Sequence, residues 1–136
     1  MLRNKTVSCF QAAISDSDAE AVLIGTGIGC RMVKSSNNGA ARKVKAINLA
    51  QWLDLNGETP LLVKMDIEGH EGQVLRSMRG KWKSPCALFV ETHAEGGHDE
   101  EIVHDLAQDG FQVELLRTHS LSSDSRRFKE YLCQRP

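Results

Sequence analysis

The sequence has no surplus of charge of either sign: 17 basic and 18 acidic residues leave a net charge of −1. That excludes the basic footprint on which nucleic-acid binding rests. It has no apolar run near the roughly 20 residues of a membrane span. Residues 1–5 lead into no apolar core of the signal-peptide kind. The four cysteines, Cys9, Cys30, Cys86 and Cys133, form no C-x-x-C pair, and no histidine spacing completes a zinc pattern. They read as small buried hydrophobes of a reducing, cytoplasmic compartment. No internal repeat is visible. What is present is an ordinary globular composition, 40% hydrophobic and 26% charged over 136 residues. That length suits a single domain, 1–136, able to hide about two thirds of the surface its unfolded chain exposes.

The pattern along the chain alternates. Residues 7–14 and 19–24 read as strands by their β-branched and apolar content, with a Ser-Asp turn between them. Residues 25–42, rich in Gly, Ser and Asn, read as a loop, and 44–47 as a short extended piece. Asn48 followed by Gln51 has the form of a helix N-cap with a capping box, and Gly57 ends that helix. Residues 61–66 form a nearly continuous apolar run, the mark of a buried parallel strand. A helix follows over 71–79, with Val74, Leu75 and Met78 inward and Gly80 at its end. A second apolar strand covers 86–91, and an amphipathic helix 99–108 carries Ile102, Val103 and Leu106 on one stripe. Strands at 111–116 and 128–133, separated by a polar loop at 118–126, complete the chain. The second half is therefore β-α-β-α-β-β. This predicts an α/β fold, a mostly parallel sheet covered by helices, with an antiparallel C-terminal hairpin.

The chemistry concentrates in "LLVKMDIEGHEG", residues 61–72. Side chains alternate along a strand, so Lys64 and Asp66 share a face, and Asp66 falls at the strand's carboxyl end. That end is where open α/β sheets bind ligands. The next strand ends in Glu91-Thr92-His93, and residues two apart project together. Adjacent parallel strands bring Asp66, Glu91 and His93 to one rim. Such a set can do general acid–base work, and it can equally hold a divalent cation. Plainer roles stand beside these: Glu71 as a helix-dipole partner, Glu68 as a solvated charge, Lys64 as half of a structural ion pair. His98, His104 and His119 read as solvated.

"LLVKMDIEGHE", then "VLRSM", then "SPCALFVETH" resembles the signature half of FkbM-like methyltransferases. The matching positions are Lys64, Asp66, Glu68, Gly69, Glu71, Val74, Leu75, Pro85, Glu91 and His93. His70 departs from the small residue usual there. With the upstream "QAAISDSDAEAVL" and "VKAINLAQWL", the likeness covers about residues 7–117. It implies a Rossmann-like class I fold and S-adenosylmethionine as cofactor. It also implies methyl transfer to a small-molecule hydroxyl, on a sugar or secondary metabolite. Asp66, Glu91, His93 and Lys64 are then the candidate catalytic groups, with His93 or Glu91 as base. Ser15 and Asp16 fall near the adenine, and Asp66 and Glu68 near the methionine end.

The resemblance also decides how to read the glycine-rich "AVLIGTGIGC" at 21–30. In such enzymes the glycine loop follows the first strand, far upstream of the Asp-x-Glu-Gly segment. Only 36 residues separate Gly29 from Asp66, whereas one βαβ unit alone takes about 30. Leu23-Ile24 also stand where an acidic residue is usual. The segment therefore imitates the cofactor loop and reads as a β-hairpin between the family's third and fourth strands. The chain then resembles a truncated domain that begins near the third strand. The two absent strands lie between the third and fourth in the class I order. Their absence takes half of the cofactor site and bares the fourth strand as an edge. A rearranged hairpin covering that edge, or a homodimer formed through it, is expected. The alternative function is an inactive, methyltransferase-like interaction module.

Overall fold

A computed structural model describes residues 7–25, 31–33, 41–56, 60–83, 85–93, 98–120 and 127–136. Its elements run β1 (Ala13–Ser15), β2 (Glu20–Ile24), β3 (Arg31–Val33), β4 (Arg42–Asn48), α1 (Leu49–Asn56), β5 (Leu61–Met65), α2 (Glu71–Ser77), β6 (Cys86–Thr92), α3 (Asp99–Gln108), β7 (Gln112–Ser120) and β8 (Arg127–Arg135). They form two four-stranded sheets, ordered β1-β4-β2-β3 and β5-β6-β8-β7. The fold is thus mixed α/β, but the expectation of one mostly parallel sheet is corrected. Only β1 with β4 and β5 with β6 pair in parallel; the other pairings are antiparallel. The cause is local. Only six residues connect β7 to β8, too few for the crossover that a parallel pairing needs, so β8 runs antiparallel to β7, and it inserts between β7 and β6. The C-terminal antiparallel hairpin is as expected.

The N-terminal sheet departs most from the sequence reading. Residues 7–12 are not a strand, and Val7 and Phe10 are exposed. β1 pairs with β4 over three residues only, Ala13↔Ala46 to Ser15↔Asn48. The segment read as one loop contains β3 and the start of β4. β2 and β3 are antiparallel, with Ile24 opposite Arg31. A phosphate-holding glycine loop leads from a strand into a helix, whereas this glycine run links two antiparallel strands. Gly25 has φ 101°, a conformation glycine adopts freely; residues 26–30 lie outside the described residues. The expected hairpin cover for β5 is also corrected. This hairpin belongs to the other sheet, and β5 is an edge strand that pairs only with β6 among the described residues.

The core lies where β5, β6 and β8 meet α1, α2 and α3. Val74, Leu75 and Met78 point inward from α2, and Ile102 and Leu106 from α3. Leu88, Val90 and Cys133 complete it from the sheet. β6 alternates buried and half-buried residues along its whole length, because one face meets the helices. Cys86 and Cys133 are buried as expected; Cys9 is exposed, and Cys30 lies outside the described residues. No described helix is long and apolar enough to cross a membrane.

Asn48 ties the two halves together. Its side-chain oxygen caps α1 by accepting from the Gln51 N–H at 3.1 Å. The reciprocal arm of a capping box is replaced: the Asn48 N–H donates to Asp18 Oδ1 at 2.8 Å. Asn48 Nδ2 donates to the Asp16 carbonyl at 2.7 Å. This pins the turn after β1 beside the start of α1, and β1 itself packs against α2. The carboxyl ends of β1 and β5 therefore open on the same side.

Candidate functional site

The site is built on the carboxyl ends of β5 and β6 and on the tight turn 66–70. The parallel register puts Met65 opposite Val90, so one step further Asp66 and Glu91 stand side by side. After Asp66 the chain must reverse into α2. Glu68 takes φ 54° and Gly69 φ 95°, both left-handed. Glu68 pays a steric cost there that Gly69 does not.

Glu71 holds this turn. It is 2% exposed. Its Oε1 accepts from the Ile67 N–H at 3.2 Å and the Gly69 N–H at 3.1 Å. The same oxygen meets His93 Nδ1 at 3.0 Å. Burial pushes the Glu71 carboxyl upward, but the His93 and backbone hydrogen bonds outweigh it and hold the pKa below its usual value. An ionised Glu71 accepts only, so Nδ1 must carry the proton. Neutral His93 therefore presents a bare Nε2.

That nitrogen faces three further carboxylates. Glu91 Oε1 lies 3.6 Å away, Asp66 Oδ1 3.7 Å and Glu68 Oε2 3.8 Å. The His93 side chain is only 8% exposed, and Phe128 packs edge-on against its ring at a centroid distance of 4.9 Å. Burial pushes the imidazole pKa down, but the Glu71 hydrogen bond and the charges of Glu71, Glu68 and Asp66 lift it above its ordinary value. One donor atom each from Asp66, Glu91 and His93 falls within 4.8 Å of the others, a spacing open to a metal ion.

The sequence-predicted residues divide into two groups. Asp66, Glu68, Glu91 and His93 converge. Lys64 lies at the margin: its Nζ is 3.6 Å from Asp66 Oδ2, and its side chain is 65% exposed. It is a solvated ion pair rather than a buried lysine. Ser15 is buried at the end of β1 and donates to Asp16 Oδ1 at 3.1 Å. Asp16 lies near enough to His70 for its charge to act on that ring. The His70 pKa is pushed down by burial, against the upward pull of Asp16 and Glu71. His98 and His104 are exposed as expected, whereas His119 is half-buried and lies 3.5 Å from Glu130. Glu71 was undervalued as a dipole partner, since it organises both the turn and the histidine. Its signal was Gly69 two residues earlier: so tight a turn leaves backbone N–H groups that need a buried acceptor.

No curated protein and no solved structure matches the chain. A family model does match: its description is Methyltransferase FkbM domain, and it spans residues 4–117, well over half of the chain. By that match, the chain with this His-centred carboxylate rim belongs to the FkbM methyltransferase domain family.

Proposed function

We propose that this chain uses S-adenosylmethionine to methylate a hydroxyl of a small molecule, such as a sugar or secondary metabolite. The observation that carries the reading is the convergence of Asp66, Glu91 and His93 at the carboxyl ends of two parallel strands. The β5-α2-β6-α3 run supports a Rossmann-like class I arrangement, which binds ligands at that edge. A rim rich in carboxylates suits a cofactor that bears a sulfonium and an ammonium. When bound, the cofactor supplies the methyl group, which passes from sulfur to the hydroxyl oxygen.

The protein's own residues do the rest. Asp66 and Glu68 hold the positively charged methionine end. Ser15 and Asp16, on the neighbouring turn, hold the adenine end. The acceptor hydroxyl lies against His93 and Glu91, and its proton leaves to one of them as the new C–O bond forms. Glu71 fixes the His93 tautomer, and Lys64 balances Asp66. Most of the rate gain comes from holding the two reactants in line.

Calorimetric titration with S-adenosylmethionine tests this. The expected result is one site per chain, lost in Asp66→Ala. No binding at about 1 mM cofactor, an affinity weaker than about 4 kcal/mol, refutes the activity for this chain. One observation favours a second reading, an inactive module that self-associates: among the described residues β5 is an open edge, and its Leu62 is exposed. Light scattering that finds a dimer, disrupted by Leu62→Lys, together with no cofactor binding, selects that reading.

A further inference from the structure

We propose that Asp66, Glu91 and His93 form a binding site for a divalent first-row metal ion. The His93 side chain is more than nine-tenths buried, and its Nε2 has no hydrogen bond among the described residues. An imidazolium N–H beside carboxylates draws one of them in to about 2.7–2.9 Å. Here none has come in. Glu91 Oε1, Asp66 Oδ1 and Glu68 Oε2 stand back almost equally, at 3.6, 3.7 and 3.8 Å.

Equal standoff is the spacing a shared central ion imposes. Donors about 2.0–2.2 Å from a tetrahedral ion lie about 3.3–3.6 Å from one another. The distance from Nε2 to Glu91, 3.6 Å, is at the upper edge of that range, that to Asp66, 3.7 Å, is just beyond it, and all three donors lie within 4.8 Å of one another. The outer shell agrees. Metal-binding histidines give their other N–H to a carboxylate, which fixes the ring and raises its basicity. Glu71 does this at 3.0 Å, and is itself held by two backbone N–H groups.

Charge points the same way. Asp66, Glu68, Glu71 and Glu91 gather around one imidazole, and among the described residues the solvated Lys64 is the cation paired with them. A dication offsets that surplus better than a proton on His93 can. One nitrogen and two carboxylates suit Mn2+ or Zn2+ and leave coordination positions open. An acceptor hydroxyl taking an open position becomes more acidic. This last consequence rests on the methyl-transfer reading; the binding itself does not.

The test uses the full chain, stripped with chelator, then dialysed and titrated with Mn2+ by calorimetry and electron paramagnetic resonance. The expected result is one Mn2+ per chain, displaced by Zn2+. Binding weakens at least about tenfold in Asp66→Asn and in Glu91→Gln, and is unchanged in the surface variant Glu20→Gln. Circular dichroism checks that each variant is folded. No stoichiometric binding of either ion at about 1 mM, or equal binding by folded Asp66→Asn and Glu91→Gln, overturns the site. Cofactor titration in chelator keeps the two readings apart. Cofactor binding without any Mn2+ binding overturns the metal site alone, and Mn2+ binding without cofactor binding supports the metal site while overturning methyl transfer.

Discussion

Glu71→Ala is the perturbation whose cost the structure defines best. One oxygen of this side chain receives the Ile67 N–H, the Gly69 N–H and the His93 ring nitrogen, at 3.2, 3.1 and 3.0 Å. Alanine leaves all three without an acceptor in a place where the glutamate is 2% exposed. Each buried donor left unmade costs about 1–3 kcal/mol. Water entering the vacated space recovers part of this, so the expected loss is about 3–5 kcal/mol. That is a large share of the roughly 5–15 kcal/mol that holds a domain together. Glu71→Gln keeps one carbonyl acceptor and loses the charge, and is expected to cost about half as much. Urea denaturation in chelator, followed by the fluorescence of Trp52 and Trp82, measures both. The order of stability should be wild type, Glu71→Gln, Glu71→Ala. If Glu71→Ala lies within about 1 kcal/mol of wild type, the turn is not held in this way and the account of His93 falls with it.

Other expectations follow from single features. Glu68 sits at φ 54°, so Glu68→Asn should gain about 0.5–1 kcal/mol in urea denaturation by relieving left-handed strain; no gain means the turn is unstrained. Leu88 is 1% exposed at the centre of β6, and Leu88→Ala should lose about 2–5 kcal/mol in the same assay; a loss below this range means the site collapses around the deletion. Burial pushes the Cys133 thiol up to about 12 from 9.0. A raised pKa favours the folded state while the thiol keeps its proton. Stability from this group is therefore full below about pH 9 and declines as pH rises toward about 12. The loss is at most about 4 kcal/mol. Cys133→Ala should be weaker at pH 8 yet lose less between pH 9 and 11, and parallel pH profiles would contradict this.

The site was legible where its logic is local. The two-residue spacing of Glu91 and His93 places both on one side of a strand end, and the structure brings them within 3.6 Å. Helix α3 has the predicted limits because its apolar stripe and closing glycine lie in the sequence itself. β5 and β6 announced themselves as continuous apolar runs, but the burial expected of β5 is not met, since its Leu62 and Lys64 are exposed. What needed partners was not legible. Residues 7–12 have strand-like composition, yet β1 is only three residues long, and among the described residues it pairs only with β4. The β7–β8 hairpin was visible, but nothing in residues 112–135 says that β8 rather than β7 lies against β6. Lys64 looked costly in an apolar strand because alternation shows which residues share a face, not whether that face is covered. Glu71 was misjudged for a related reason. A glutamate in the first turn of a helix looks the same in sequence whether it meets water or three buried donors.

β6 is hydrogen-bonded along both sides, to β5 and to β8, and its amides should be the slowest in the chain to exchange with deuterium. Glu91 and His93 are therefore fastened to the part of the molecule that opens last. Ser15 and Asp16 lie at the end of a strand of three residues, which should open and reclose far more often. The two flanks of the rim thus have unequal lifetimes. A ligand gripping both slows exchange mainly at the β1 flank, and the protection gained there reports its occupancy.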